Sequence, residues 1–445
     1  MNILLVKPRP HKDSINLQSF MLCEPLELEY AAALLEQLGH QTDIADMVLE
    51  DSFSAILRAG DYQVVAFTAY QIHVGIVKEY ARQVKDYAPT IVTIVGGVHA
   101  EVVPEDFDSP VVDVVLTGGL YALEGVMAGV ERGAEREELR ALGRAPKQLC
   151  FPFPHPDRSK TEKYRPHYNY IYHDRCATLK TSFSCPYDCS FCFCTQLGPY
   201  FQRELEDVLD ELEEIEEENI FIVDDDFLFD PRRLRDFCRG LEERGIRKTF
   251  LAFGRADFIA EHEELVELLA RHGFDAFFVG LESFKEGELA EYQKRTTVEV
   301  NNRAVRILEK HGVQCYSGLI VGYDWEKRDF DALIAYLNSF EHPMVNIQPI
   351  TPIKGTPLYA AWKGRITEKE TNYHLFDMAH AVLEPERMSK RAFYFHILRA
   401  YWKTAASRKG RRYIRVRYGP GVYRRVRHGA LCITWQYVKL ILRPN

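Results

Sequence analysis

The chain has 445 residues, 46% hydrophobic and 27% charged, with a formal net charge of −9. That balance fits a globular chain with a full core, excludes a disordered or fibrous one, and at this length allows two or three domains. The N-terminus, MNILLVKPRP, reads directly as a strand and not as a signal peptide. No apolar run approaches the roughly 20 residues of a membrane-spanning helix, so the cytoplasm is the expected compartment.

Residues 1–144 read as one domain. Short apolar strands at Asn2–Val6, Gln41–Ile44, Val64–Thr68, Ile91–Val95 and Val111–Leu116 alternate with helical spacing at Leu26–Gln37 and Val74–Tyr87. This alternation predicts a doubly wound, Rossmann-like parallel sheet. Such sheets bind ligands outside the carboxyl ends of their strands. Those ends carry Lys7–Arg9, Thr68–Gln71, Gly96–His99 and Thr117–Gly119. Residues 145–170, rich in Pro and aromatics, predict a packed linker.

From 171 to 386 the alternation resumes. Strands are expected at Thr178–Phe183, Ile220–Val223, Phe250–Phe253, Ala276–Val279, Cys315–Val321 and Val345–Pro349. Helices are expected at Glu204–Glu218, with a solvated acidic outer face, at Pro231–Arg244, and near 261–271, 298–310 and 328–339. Six strand–helix units over this length predict a partial (β/α)6 barrel, with chemistry at the carboxyl ends of the strands. Residues 387–445 form a basic extension with 16 Lys/Arg and no Asp or Glu, which leaves the preceding body strongly acidic.

Four of the ten cysteines fall in CPYDCSFCFC, residues 185–194, after the first barrel strand. A zinc site needs four ligands, often as two separated pairs, and no second pair is present. A ferredoxin-type cluster takes four cysteines, and Cys194 would supply the fourth across a cramped one-residue gap. Three thiolates, Cys185, Cys189 and Cys192, on a 4Fe–4S cluster would leave one iron open to a substrate. The other cysteines, Cys23, Cys150, Cys176, Cys238, Cys315 and Cys432, read as buried and inert.

The C-x3-C-x2-C spacing, with Phe191 before the last cysteine, resembles the radical S-adenosylmethionine (SAM) enzymes. The resemblance implies that SAM chelates the open iron and is cleaved reductively to a 5′-deoxyadenosyl radical, with an electron from a flavodoxin or ferredoxin type of reductant. FIVDDDF (221–227) looks like the second-strand acidic motif, implying that Asp224 or Asp225 holds the SAM amino group. FVGLES (278–283) looks like the fourth strand, with Glu282 near the ribose. SGLIVG (317–322) is similar to the glycine-spaced strand beside the adenine, with Gly318 and Gly322. TPIKGTPLY (351–359) looks like the segment that closes the barrel in one subgroup.

That subgroup carries an N-terminal cobalamin-binding domain, which residues 1–144 resemble. The implied cobalamin contacts are Tyr70, Gln71, Gly96, Gly97, His99, Thr117 and Gly118. The Asp-x-His-x-x-Gly signature of an axial histidine is absent, so Tyr70 or Gln71 is expected nearest the lower face of cobalt. The family's Gly-Glu-Gly-Glu stretch is replaced by TGGLYAL (117–123), without an acid. Within the subgroup, EPLELEYAAALLEQLGH (24–40), IFIVDDDF (220–227), DWEKRDF (324–330), VNIQPITPIKGT (345–356) and NYHLFDMAHAVL (372–383) resemble the hopanoid 3-methylases. The resemblance implies methylation of an unactivated carbon of a small hydrophobic molecule, lipid-like or terpenoid. The alternatives are a cobalamin-binding radical SAM cyclase or oxidoreductase, and an iron–sulfur nucleic-acid-associated binding protein. RRYIRVRYGPGVYRRVRH (411–428) could grip RNA or an anionic membrane. The apolar WQYVKLIL (435–442) favours the membrane, so peripheral contact with the inner membrane face is expected and nucleic acid is not.

Overall fold

The computed structural model describes residues 1–342 and 344–443. Five parallel strands, β1 (Asn2–Lys7), β2 (Gln41–Asp46), β3 (Val64–Thr68), β4 (Val92–Gly96) and β5 (Val114–Val115), form the N-terminal sheet in the order β2-β1-β3-β4-β5. The chain reverses its winding between β1 and β3, so a crevice opens at their carboxyl ends. Helices Leu26–Gln37 and Val74–Tyr87 occur as predicted, because both place apolar residues at helical intervals against the sheet. β5 is shorter than expected. A turn closed by Val112 N–H on Ser109 O takes up the first residues of that apolar run.

The second sheet is fully parallel and runs β6 (Cys176–Leu179), β7 (Asn219–Ile222), β8 (Thr249–Gly254), β9 (Phe274–Glu282), β10 (Gln314–Val321) and β11 (Met344–Pro349), in sequence order. This is the expected six-stranded partial barrel. The stretch read as one strand from Thr178 is split in two. β6 ends at Leu179, and Ser182–Phe183 turns out of the sheet to pair antiparallel with Phe201–Gln202. That small ribbon clamps both ends of the cysteine loop. The helix expected at 204–218 is Leu205–Glu214, and its outer face is not wholly solvated. Glu211 is buried, receives Arg203 Nη1 at 2.6 Å and Arg158 Nη2 at 2.9 Å, and accepts a hydrogen bond from Tyr30 Oη at 2.6 Å.

These contacts join the two sheets. Glu24, just before the first helix, accepts Thr178 N–H and Oγ1–H from β6, and Arg158 of the connecting segment lies 3.5 Å from it. A buried charge network of this kind is costly to break, since removing one partner leaves the other charge desolvated. On the opposite side, Lys354 ties the segment after β11 to the N-terminal sheet. Its N–H donates to Gln71 Oε1 at 3.0 Å, and its ammonium meets Asp106.

The basic extension folds as three helices, Lys390–Lys403, Arg408–Arg417 and Gly419–Leu442. The first covers the open edge of the barrel, where Tyr401 Oη accepts from Ile347 N and donates to Ile347 O of β11. Satisfying an edge strand in this way prevents further strand pairing. The others pack at the amino-terminal mouth of the barrel, among Tyr170, Tyr172, Phe221 and Tyr316. Of the cysteines read as buried, Cys176, Cys238 and Cys315 are; Cys150 is exposed, and Cys23 and Cys432 are half-buried.

Candidate active site at the domain seam

The carboxyl ends of both sheets face one cavity of about 460 Å³. On one side stand Ala66–Thr68, Tyr70, Gly96, Gly97, Gly118 and Gly119 from the N-terminal sheet. On the other stand Lys180, Phe183, Ser184, Phe193, Phe201, Val223 and Asp225 from the barrel. Two glycines are dictated by geometry. Gly97, at φ 90° and ψ 174°, occupies backbone space that is essentially closed to other residues, and a Cβ there would sit 2.7 Å from Ala69 N. A Cβ on Gly118 would sit 2.1 Å from Ala145 O. Both glycines are required by packing against the chain's own backbone, and both also line the cavity, so bare backbone is presented there.

The aromatic lining comes from places that strand and helix spacing did not flag. Phe151 and Phe153 of the connecting segment enter the cavity. Phe151 stacks on Phe183 at 4.9 Å, Phe183 stacks on Phe201 at 4.8 Å, and Tyr30 and Tyr121 meet Phe151 and Phe153 edge-on. Arg203, fully enclosed, lies over Phe151 at 5.0 Å. The sequence signal was present, since PFPHP is too aromatic for a free linker.

Not every expected cobalamin contact reaches this cavity. Tyr70, Gly96, Gly97 and Gly118 line it. His99 does not: its Nε2 is bonded to Asp106 Oδ2 at 2.8 Å and its ring packs on Phe107. Gln71 is turned to Lys354, and Thr117 N–H is held by Gly143 O. Tyr70 is 48% exposed, yet enclosure of its hydroxyl at the cavity wall, beside Glu27 and Asp225, pushes that group upward.

The cysteine loop follows Ser184, which is held at positive φ. Cys185, Cys189 and Cys192 are all half-buried. Burial pushes Cys185 up to about 12 and raises Cys189 against the opposing pull of Lys294 and Arg255. A hydrogen bond from Cys194 holds Cys192 down. Among the described residues, the three do not form a group whose ligand atoms lie within 4.8 Å of one another. Tetrahedral ligation at a zinc–sulfur distance of about 2.3 Å brings thiolates closer than that. Cys194 touches one of the three and is buried: its thiol is hydrogen-bonded to Cys192, lies 3.2 Å from Asp225 Oδ1 as a donor, and is raised by the Cys192 contact and by burial.

The DDD run separates into three environments. Asp224 is fully engaged, accepting Thr181 N, Thr181 Oγ1, Ser182 N and Ser182 Oγ at 2.5–3.0 Å, so it has no capacity left for a ligand. Asp225 faces the cavity beside Lys180, at 3.8 Å. Asp226 is buried, and neither carboxylate oxygen has a hydrogen-bond partner. Burial pushes its carboxyl up to about 8 despite Arg255 and Lys294. A buried carboxyl with no close donor to its oxygens calls for an explanation, a catalytic or ligand-binding role among them.

Glu282 ends β9 at φ 58°, where a register shift turns its carboxylate toward Lys294 at 2.8 Å. Gln293 and Arg295, on either side of Lys294, are also at positive φ. Backbone strain concentrated at Ser184, Glu282, Gln293 and Arg295 marks a functional locus. Arg255 forms an ion pair with Asp257 at 2.7 Å, stacks on Tyr187 at 3.8 Å and reaches within 4.0 Å of Cys189 Sγ. Phe191 packs edge-on against Tyr292. Gly318 and Gly322 are packing positions: Cβ atoms there would meet Phe278 at 3.1 Å and Asp324 at 2.5 Å, and neither lines the cavity. The closing segment bonds directly to the loop through Leu358 N–H to Ser190 O.

Comparison with known proteins agrees with this division. Residues 15–127 match the B12 binding domain and residues 179–337 the radical SAM superfamily. The hopanoid C-3 methylase of Methylococcus capsulatus is 28% identical over 423 residues, 90% of this chain and 79% of that one. The anaerobic magnesium-protoporphyrin IX monomethyl ester cyclase of Cereibacter sphaeroides is 22% identical over 424 residues, 88% of this chain and 68% of its own. The cobalamin-dependent SAM radical enzyme OxsB, solved with aqua-cobalamin and SAM bound, shares the fold with a TM-score of 0.67 at 18% identity, covering 100% of this chain and 73% of its own.

Proposed function

Since the chain is a cobalamin-dependent radical SAM enzyme, we propose that it methylates an unactivated carbon of a hydrophobic, lipid-like or terpenoid substrate. When bound, the 4Fe–4S cluster and SAM supply the radical that removes hydrogen, and cobalamin supplies the methyl group. The protein's part is to hold and orient. Cys185, Cys189 and Cys192 would hold the cluster. Asp226, which has two buried oxygens without a donor but does not itself line the cavity, takes the role expected of Asp224 or Asp225 and would hold the SAM ammonium. Asp225 and the Glu282–Lys294 pair would border the same ligand. Gly96, Gly97 and Gly118 would back the corrin, with Tyr70 the nearest side chain.

The observation that carries this reading is the cavity itself. One space is walled by bare backbone on the N-terminal side, by Ser184, Phe193 and Asp225 at the borders of the cysteine loop on the other, and by stacked aromatics between them. Those aromatics exclude water and suit an apolar substrate. The test is anaerobic incubation of reconstituted protein with a flavodoxin or ferredoxin type of reductant, methyl-labelled SAM and a lipid extract. A labelled lipid together with 5′-deoxyadenosine supports methylation. Deoxyadenosine without labelled product turns the reading to a cyclase or oxidoreductase, the activity named for the Cereibacter relative.

The extension supports peripheral contact with an anionic membrane. Among the described residues no helix is long and apolar enough to cross a membrane. Yet Leu431, Trp435 and Leu442 lie on one exposed stripe of the last helix, above Arg424 and Arg427 on the same face, and Trp402 and Phe395 stand exposed on the neighbouring helix. Trp402 Nε1 donates to Thr434 Oγ1 at 3.3 Å, so the two aromatic groups adjoin. Aromatics flanked by unopposed Arg and Lys suit a lipid surface, at about 1 kcal/mol for each basic residue near it. Flotation with anionic vesicles, abolished in a Trp402→Ala/Trp435→Ala protein and absent with neutral vesicles, is the expected result. Equal flotation of both proteins would refute this contact.

A further inference from the structure

We propose that His11, Asp13 and His374 form a second metal site, for zinc or a neighbouring divalent transition ion, that fastens the N-terminal domain to the segment following the barrel. His11 and Asp13 lie in the turn after β1. His374 lies 363 residues after His11, in the short turn Tyr373–Leu375. One ligand atom of each falls within 4.8 Å of the others. His11 Nδ1 is 3.6 Å from Asp13 Oδ2, and the His11 and His374 rings pack with centroids 4.1 Å apart.

The two turns are pinned to each other right beside these ligands. Ser14 Oγ donates to His374 O at 2.8 Å, and Ile15 N–H donates to Asp377 Oδ2 at 2.6 Å. Asp377 in turn holds His380 Nδ1 at 2.9 Å. The ligand-bearing backbone is therefore fixed before any ion arrives, which lowers the entropy lost on binding. Bringing three donors within about 4.8 Å to metal distance needs small side-chain rotations only, given zinc–nitrogen bonds of about 2.0–2.1 Å.

The donor set selects the ion. Two imidazole nitrogens and one carboxylate oxygen suit zinc, cobalt or nickel, whereas calcium and magnesium want oxygens. A single carboxylate can pair with one of two packed imidazoles; a divalent ion engages both rings and the carboxylate together. His11 is about one-third exposed (35%) and Asp13 is 60% exposed, so an ion can enter and water can complete its shell.

The position gives the site a consequence. The turn Tyr373–Leu375 packs on the turn Gln71–His73, which follows Tyr70 at the cavity wall. Tyr373 Oη also reaches Asp106 Oδ1 at 3.1 Å, the carboxylate shared with His99 and Lys354. An ion on His374 would stiffen the same seam that carries the cobalamin side of the cavity.

The experiment uses untagged, cluster-loaded protein dialysed anaerobically against micromolar zinc, with iron and zinc counted per chain. The expected result is one more zinc per wild-type chain than per His11→Gln/His374→Gln chain, with iron equal in both. Zinc should raise the melting temperature by a few degrees in the wild type alone. Asp13→Ala, at an exposed position with no packing role, should also reduce zinc uptake, and it serves as the readout if the double variant loses iron. Equal zinc in wild type and Asp13→Ala, or a melting shift that survives loss of both histidines, would overturn the proposal.

Discussion

Asp224 and Asp226 are two residues apart in one acidic run, yet replacing each by Asn should give opposite results. Asp224 accepts four hydrogen bonds. An amide of the same shape accepts through one oxygen only, so Asp224→Asn loses two of the four. At about 1.5–3 kcal/mol for each bond to a charged group, the fold weakens by about 3–6 kcal/mol. Asp226 has no partners, and its carboxyl is pushed up to about 8. A carboxyl raised in the folded state binds its proton there while the unfolded chain has released it. Wild-type stability therefore falls as pH rises from about 4 to about 8 and is level above that. Asp226→Asn removes this fall. The variant should gain on the wild type by up to about 3 kcal/mol between pH 6 and pH 9, at about 1.4 kcal/mol for each unit. SAM binding should move the other way, weakening 10- to 100-fold with loss of a charge-assisted bond of about 1.5–3 kcal/mol. Urea unfolding at the two pH values and anaerobic equilibrium dialysis with labelled SAM read these two quantities. The assignment is refuted if Asp226→Asn binds SAM as the wild type does while Asp225→Asn does not.

The other expectations are narrower. Gly97→Ala should abolish cobalamin binding, read by its visible absorption, while iron content is unchanged, because the strained backbone lies in the N-terminal cradle alone. Cys194→Ala should keep the full cluster, measured as iron and sulfide per chain; loss of the cluster would make Cys194 a ligand. Asp275 is pushed upward by burial, but His173 and Arg417 more than offset this and hold its carboxyl down at about 2. That stability is complete above about pH 4 and is lost as pH falls toward 2, so the extension should undock in that window. Quenching of Trp402 and Trp435 fluorescence should follow the transition, and in Asp275→Asn the extension should already be loosened at pH 7 by about 2 kcal/mol.

Most of the architecture was legible because it follows from short-range periodicity. β3 and the helices Leu26–Gln37, Val74–Tyr87 and Val298–Lys310 begin and end where apolar spacing and the flanking Gly or Pro place them. All six barrel strands were found, and the site appears at their carboxyl ends, as parallel topology requires. The errors lie where a residue's partner is distant in sequence. His99 is taken by Asp106, seven residues on, and Asp106 is in turn held by Lys354, 248 positions from it, which nothing near His99 reveals. Nothing in DDD tells which acid is turned inward, since that depends on where Thr181 and Ser182 offer their donors. Glu211 looked like one acid among many on a solvated helix, until Arg158, Arg203 and Tyr30 converged on it.

The seam explains how a chain with two separable cofactor-binding halves can act as one catalyst. If the halves were joined only by a linker, the cobalamin side and the radical side would sample many separations, and a substrate would meet water between them. Three features prevent this. The Glu24–Arg158–Glu211–Arg203 network ties the first helix of the sheet domain to the first barrel strand, beneath the cysteine loop. The Lys354–Asp106–His99 network ties the closing segment to the fourth and fifth sheet strands. Phe151 and Phe153 fill the interval between these two anchors with apolar surface. Both anchors are buried ion pairs, which favour a defined geometry over raw stability. In a reaction that must place one substrate carbon between two cofactors, fixed separation is the property the fold has to supply, and these residues supply it without touching the reacting atoms.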